Sequence, residues 1–219
     1  MKSRRHSQAN GDGARTRGQL LGTARQIFAK AGFRNATIRQ ICEEAGANLA
    51  AINYHFGDKE TLYREVMREA CRIALEKYPP DFGLPQSPTP QQRLHAFVRS
   101  FLWRIMSEGP HAHHGKLMAR EMIEPSVALD EIVSEDIQPM ATALLAIIRD
   151  LLGPGASEET VRRCAMSVAS QLVFYHHCRH VIVRLFPDMQ LDESVIEKTA
   201  EHVTRFSLAA LKEIALEKS

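Results

Sequence analysis

Apolar residues recur along most of this chain at helical rather than strand spacing. Leu20, Leu21, Ala24, Ile27, Phe28 and Ala31 fall at i, i+1, i+4, i+7, i+8 and i+11, a stripe down one helix face that Gly32 ends. Thr37 then precedes Ile38, Ile41, Cys42 and Ala45, and its hydroxyl can cap a second, short helix that stops near Gly46. Asn48 can cap a third, of one to two turns, carrying Leu49, Ile52 and Phe56. Gly57-Asp58 closes it and caps a fourth helix from about Lys59 to Lys77. Pro79, Pro80, Pro85, Pro88 and Pro90 interrupt the pattern between Tyr78 and Gln91, a linker. Beyond it, Leu94 to Met106, Lys116 to Glu124, Ser126 to Leu152, Glu158 to Leu185 and Glu193 to Glu217 again space apolar residues by three and four. Pro139 bends or starts the third of these segments. No window alternates with period two, so the expected class is all-α.

The pattern predicts a polar, disordered basic tail at 1–13, a three-helix domain at 14–65, and a larger helical domain of about nine helices at 66–219. A chain of 219 residues has length enough for a buried core, and its 44% hydrophobic and 25% charged content is ordinary for globular proteins. The longest stretch without a formal charge, Cys164 to Cys178, still contains Ser167, Ser170, Gln171, His176 and His177, so no membrane helix is expected. The basic start lacks the apolar run of a secretory signal, and a cytoplasmic location is expected. Cys42, Cys71, Cys164 and Cys178 are scattered through helical segments and read as thiols.

The net charge of +2 conceals an uneven distribution. Residues 1–41 carry nine Lys and Arg against Asp12 alone; residues 1–65 carry eleven against six, and the rest 17 against 20. Clustered cations ease approach to phosphates, so the basic block suggests a polyanion-binding module; a solvated face with a basic tail is the alternative.

The stretch from Thr37 to Tyr63, TIRQICEEAGANLAAINYHFGDKETLY, decides between them. A short helix, a tight turn at Ala45-Gly46-Ala47 and a second short helix form a helix-turn-helix, whose second helix is sized for the DNA major groove. Ile38, Ile41, Ala45, Ile52 and Phe56 would face the core. Arg39, Asn48, Leu49, Ala50, Ala51 and Asn53 are left on or near the groove side. Ala50 and Ala51 let the backbone come close, Asn53 can pair with base edges or phosphate, and Arg39 can reach a guanine edge. Tyr54, His55 and Lys59 are placed to hydrogen-bond phosphates, although His55 beside Phe56 also reads as a core histidine.

AKAGF at Ala29 to Phe33, then ATIRQICEEAGAN, then INYHFGDKETLY at Ile52 to Tyr63, together resemble the DNA-binding domain of the TetR/AcrR family of bacterial transcription regulators, over residues 15 to about 65. The resemblance implies that Thr37 and Lys59 meet phosphates, that Arg39, Asn48, Leu49, Ala50, Ala51 and Asn53 form the base-reading surface, and that Tyr54 and His55 brace the DNA backbone. Asn53 stands where the family most often has Tyr, which puts the phosphate contact there in question and opens direct base readout. Arg120 to Pro139 and the FYHHCRHVIVRL run from Phe174 resemble, more weakly, the C-terminal domain of the CecR-like subgroup, implying a helical sensor and dimerisation domain. The expected function is a ligand-responsive transcription regulator, a repressor released from a palindromic operator by a small-molecule effector.

A homodimer on such an operator is expected, since one short helix reads too few base pairs. Val161, Ala165, Val168, Ala169, Leu172 and Val173, with Val203, Phe206, Ala210, Leu211 and Ile214, offer two apolar helices for a four-helix interface, or else they fill the chain's own core. Phe101, Trp103, Met106, Met118, Met122 and Phe174 alongside His113, Arg120, Glu121 and His177 are candidates for an effector pocket, although such residues at helical spacing also build plain cores. His111, His113 and His114 follow Gly109-Pro110, and His176 and His180 stand at i, i+4, a spacing that can chelate a transition metal. A metal sensor or metal-dependent enzyme is the alternative function. HExxH is absent, and neither catalysis, nor a cofactor, nor a membrane partner is expected.

Overall fold

The computed structural model describes residues 2–108, 113–189 and 192–216, and of residues 2–12 the backbone alone. The described residues form helices joined by turns, with no strand among them. By contacts the chain divides into two compact units, Met1–Arg72 with Lys116–Ile132, and Ile73–Gly115 with Val133–Ser219.

In the first unit, α1 (Lys2–Asn35) takes in the segment expected to be a disordered tail. It kinks at Gly32, where the sequence pattern predicted its end. It is followed by α2 (Ile38–Ala45), α3 (Leu49–His55) and the first part of α4 (Lys59–Lys77). Leu20, Ala24 and Phe28 of α1 are fully buried with Ile41 of α2, Ile52 of α3 and Leu62, Tyr63 and Val66 of α4. The apolar stripe read from the sequence is therefore the core face, while Ile38 and Ala45 are only partly buried.

The sequence-based boundary near residue 65 did not anticipate that residues 116–132 group with this unit. Two long-range connections account for it. The Tyr63 hydroxyl donates to Oε2 of Glu121 (2.8 Å), and Nε of Arg120 donates to the Ala29 carbonyl (3.1 Å) while its Nη2 donates to that of Lys30. Glu121 lies near the end of α6 (His113–Ile123), and α7 (Leu129–Ile132) follows it.

The second unit is built on α5 (Pro90–Met106), α8 (Gln138–Leu152), α9 (Glu158–His177) and α11 (Glu193–Leu216). Their shared core includes Leu94, Val98 and Leu102, then Ile148, then Val161, Val168 and Leu172, then Ile196, Ala200 and Val203. Local sequence starts these helices. Thr89 and Gln92 form a reciprocal capping box ahead of Pro90, and the Ser157 hydroxyl accepts the Thr160 N–H (3.1 Å).

Two segments are divided further than the apolar spacing predicts. Ser126 to Leu152 is divided into α7, a π-helical turn at Val133–Ile137, and α8, with Pro139 in its first turn. Proline has no N–H to return to the carbonyl four residues earlier, so the chain changes its hydrogen-bond register there. Glu158 to Leu185 breaks at Cys178 (φ −95°, ψ 10°) into α9 and α10 (Arg179–Leu185). Among the described residues no helix is long and apolar enough to cross a membrane.

Candidate nucleic-acid interface

The helix-turn-helix is specified locally. The Thr37 hydroxyl accepts the Gln40 N–H (3.1 Å) at the start of α2. Gly46 ends it in the left-handed region (φ 63°, ψ 30°), a conformation that costs a residue with a Cβ about 1–2 kcal/mol. With Gly46 so placed, the Ala47 N–H reaches the Cys42 carbonyl (2.9 Å), satisfying a helix-end acceptor. Oδ1 of Asn48 then accepts the Ala51 N–H (2.9 Å) and opens α3. Asp58 repeats the device for α4, accepting the Thr61 N–H (2.7 Å), a bond that holds its carboxyl below the usual range.

These caps fix which side chains stay outside. Ile52 and Phe56 are buried, and Asn48, Leu49, Ala50, Asn53 and Tyr54 are exposed, Leu49 at 58% and Tyr54 at 84%. Leu49 and Asn53, like Ala50 and Tyr54, are four residues apart and share the outward side of α3. A contiguous outward surface that spends an apolar Leu and an aromatic ring on solvent fits a face built for a partner. Ala51 is partly covered. Thr37 and Arg39 are exposed, and Nε of Arg39 donates to Oε1 of Glu43 (2.9 Å), a surface pair that a stronger anion can displace.

His55 is partly buried, edge-on to Tyr54 at 4.9 Å between ring centroids. Lys59 is partly buried, its ammonium 4.6 Å from the centre of the Phe33 ring and donating to the Arg34 carbonyl (3.4 Å); burial holds its pKa below that of a free lysine. One donor is thereby engaged and two remain. Sequence reasoning missed Arg17, whose guanidinium lies over the Phe56 ring (5.2 Å to its centre) and pairs with Glu65. Its signal was its position three and four residues before Leu20 and Leu21 on the same stripe.

The expected effector residues are distributed over the two units. Met118, Arg120, Glu121 and Met122 belong to the first unit; Trp103, Met106, His113, Phe174 and His177 belong to the second. Glu121 is 1% exposed, bonded to Tyr63 and, through Oε1, to the Ser126 N–H (2.8 Å) and hydroxyl (3.0 Å). Arg120 is engaged with the end of α1, and Met122 is exposed. In the second unit Nε1 of Trp103 donates to Oε1 of Glu197 (2.7 Å), a carboxylate also gripped by Arg99 and so held below its usual pKa. Met106 is core, and Phe174 and His177 face outward.

A buried polar cluster occupies the second unit, joining His114 and His176, read above as metal candidates, with Arg104, which the sequence did not flag. Arg104 is buried, its Nε donating to the Ser100 carbonyl (3.3 Å) and its Nη1 lying 3.2 Å from Sδ of Met140. Nδ1 of His114 lies 3.3 Å from the Arg104 carbonyl. Burial, then the Arg104 charge, push the His114 imidazole down to about 4. His176 is 7% exposed, and its Nδ1 has no partner; burial, then Arg179 and His177, push it down to about 4 as well. At the start of α6 the chain passes so close to α5 that a Cβ on Gly115 would overlap the Ile105 carbonyl.

Of the metal candidates, His114 and His176 interact within the buried cluster, and His180 lies on a different helix. His176 is buried on α9 and His180 is exposed on α10, beyond the break at Cys178. His111 lies outside the described residues, and among those described no three His, Cys, Asp or Glu side chains form a group that could hold a metal ion.

The model for bacterial regulatory proteins of the tetR family matches residues 20–66, and the model for the C-terminal domain of the HTH-type transcriptional dual regulator CecR matches residues 90–211. The chain belongs to the TetR family. Its TetR-type relatives include the dual regulator CecR of Shigella flexneri, 27% identical over 157 residues that make up 67% of this chain and 69% of that one. The repressor NicS of Pseudomonas putida is 25% identical over 174 residues, 77% of this chain and 79% of its own. The repressor AcnR of Corynebacterium efficiens is 43% identical over 70 residues, 31% of this chain and 37% of its own. A TetR-family regulator from Mesorhizobium loti superposes with a TM-score of 0.60 at 17% identity, covering 90% of this chain and 97% of that one. The hemolysin II regulator HlyIIR does so with 0.58 at 21%, covering 88% and 98%. Both share the all-helical fold. This TetR-family chain is a DNA-binding transcription regulator, as its relatives are.

Proposed function

We propose that the chain is a repressor that binds a palindromic operator as a homodimer and releases it when a small-molecule effector occupies the C-terminal unit. The carrying observation is the outward face of α3 and the cap of α2, where the residues available to DNA are those left exposed by the helix-turn-helix core. In this reading Arg39, Asn48, Leu49, Ala50, Ala51 and Asn53 meet bases, and Thr37, Tyr54, His55 and Lys59 meet phosphates. Thr37 uses its hydroxyl oxygen to cap α2 and keeps the hydroxyl hydrogen for a phosphate.

The dimer forms through α9 and α11. Val161, Ala165, Val168, Leu172, Val203 and Leu211 are buried in the chain's own core, so in this reading the contact is made by their outward neighbours. Met166, Val173 and Phe174 of α9 and Phe206 and Ala210 of α11 remain outside, Phe206 at 60% exposure, and they supply the apolar face. For the effector site, the C-terminal unit offers Trp103, Met106, His113, Phe174 and His177 together with the buried polar cluster of Arg104, His114 and His176. The effector favours the state whose reading heads are wrongly spaced, working through α4 and weakening DNA by the coupling free energy it gains.

Selection of duplexes by the purified chain from a random library tests the reading. It should return a two-fold symmetric sequence, bound with a steep salt dependence, and Phe206→Glu should yield monomer that binds it more weakly. Arg39→Ala should relax preference at one base pair per half-site, by roughly 1–3 kcal/mol. Binding without sequence preference at moderate salt would defeat it.

A further inference from the structure

Where α1 enters the first unit gives its preceding residues a defined neighbour. A Cβ placed on Gly13 would lie 3.9 Å from Cε1 of His55, the last residue of α3. One turn on, Arg17 fixes α1 to the same end of α3 through the Phe56 ring and Glu65. The chain before Gly13 therefore departs beside the C-terminal end of the helix that carries the outward residues. Those residues, KSRRHSQANGD at 2–12, hold Lys2, Arg4 and Arg5 against Asp12 and nothing larger than Ala9 that is apolar.

We infer that residues 2–12 are a cationic arm that binds the sugar-phosphate backbone of the DNA flanking the bases read by α3. The inference rests on the operator-binding reading above. Length permits it in either form: as a continuation of α1 the eleven residues span about 17 Å, and extended they span about twice that. Duplex DNA presents a phosphate charge about every 1.7 Å along its axis, so both forms pass several phosphates. Lys2, Arg4 and Arg5 supply the charge, and Ser3, Ser7 and Asn10 add neutral donors of the kind that hold phosphate oxygens. Contacts of this type carry no sequence information, so the arm adds affinity and registers the protein on flanking duplex without altering which bases are read.

The test uses the full chain and its Lys2→Gln/Arg4→Gln/Arg5→Gln variant. Both are titrated by fluorescence anisotropy, over a range of salt, onto the palindrome selected by the parent chain. The palindrome is supplied alone and with about one helical turn of arbitrary duplex on each side. The parent should bind the flanked duplex more tightly than the bare one, and the variant should lose that gain while keeping the same base preference. The slope of log K against log salt should fall in magnitude by about 0.9 for each phosphate contact removed, up to about three per subunit. Unchanged far-ultraviolet circular dichroism would confirm that the variant folds. Equal affinities and slopes for parent and variant would overturn the arm and leave the operator reading standing. A parent chain with no sequence preference would overturn both.

Discussion

The neutral, buried His176 makes a quantitative demand on the pH dependence of stability. Its imidazole is held at about 4 in the folded chain against 6.5 when free, so between these values the unfolded chain takes up a proton that the folded chain refuses. Folded-state pKa is depressed, so the stability is present above pH 6.5 and is lost as pH falls toward 4. At pH 5 the linkage amounts to about 2 kcal/mol relative to pH 8 for this one group. That is a large fraction of a typical domain stability of about 5–15 kcal/mol. Burial sets the depressed pKa first, then the nearby Arg179 of α10 and His177 of α9, opposed by backbone bonds at Gly115 and Ile105. Trp103 is the single tryptophan and lies in the same unit, so its fluorescence reports unfolding of that unit in urea. The parent midpoint should fall markedly between pH 8 and pH 5. His176→Gln keeps a polar side chain without the titration and should flatten the profile by about 2 kcal/mol at pH 5, even if it unfolds more readily at pH 8. An identical pH profile for parent and variant would refute the placement of a neutral imidazole there.

Three other substitutions probe separate joints. Tyr63→Phe should destabilise the first unit by about 1–3 kcal/mol in thermal or urea unfolding, because the 1%-exposed Glu121 loses a donor. Gly115→Ala should cost about 1–3 kcal/mol in urea unfolding, because the new methyl meets the Ile105 carbonyl and α5 and α6 must separate. Gly46→Ala should cost about 1–2 kcal/mol by forcing a Cβ into the left-handed region, with Gly46→Asn milder in the same chemical-denaturation series. No difference between Ala and Asn there would remove the turn argument.

The helix-turn-helix was readable because its determinants are local. Thr37, Gly46, Asn48 and Asp58 each act within three or four residues, and the stripe of Leu20, Ala24 and Phe28 needs only the period of a helix. What escaped is long-range or unmarked. Glu121 and Arg120 were read as effector candidates, and their bonds to residues 58 and 91 positions earlier lie beyond any spacing rule. The division of Glu158 to Leu185 at Cys178 carries no Gly or Pro to announce it, so the apolar period ran through the break. Pro139, by contrast, did announce a change of register, and only its π-helical form was not foreseen. Of the α9 residues offered for an interface, Val168 and Leu172 are buried and Val173 is exposed, similar residue types on different helix faces. Hydrophobicity alone does not separate a core from a dimer face.

Asn48 is held by its own oxygen, and in the operator-binding reading this constrains the language in which it would read DNA. With Oδ1 engaged by the Ala51 N–H, the carboxamide cannot turn its oxygen outward without uncapping α3. The cap leaves both Nδ2 hydrogens unused and one lone pair on Oδ1, so if Asn48 meets a base as proposed, Nδ2 is the group free to donate to an acceptor such as purine N7, guanine O6 or thymine O4. Asp at the same position would cap the helix as well while presenting a negative charge to the duplex. Folding and recognition at residue 48 would then part company, the helix keeping its start while the DNA turns away.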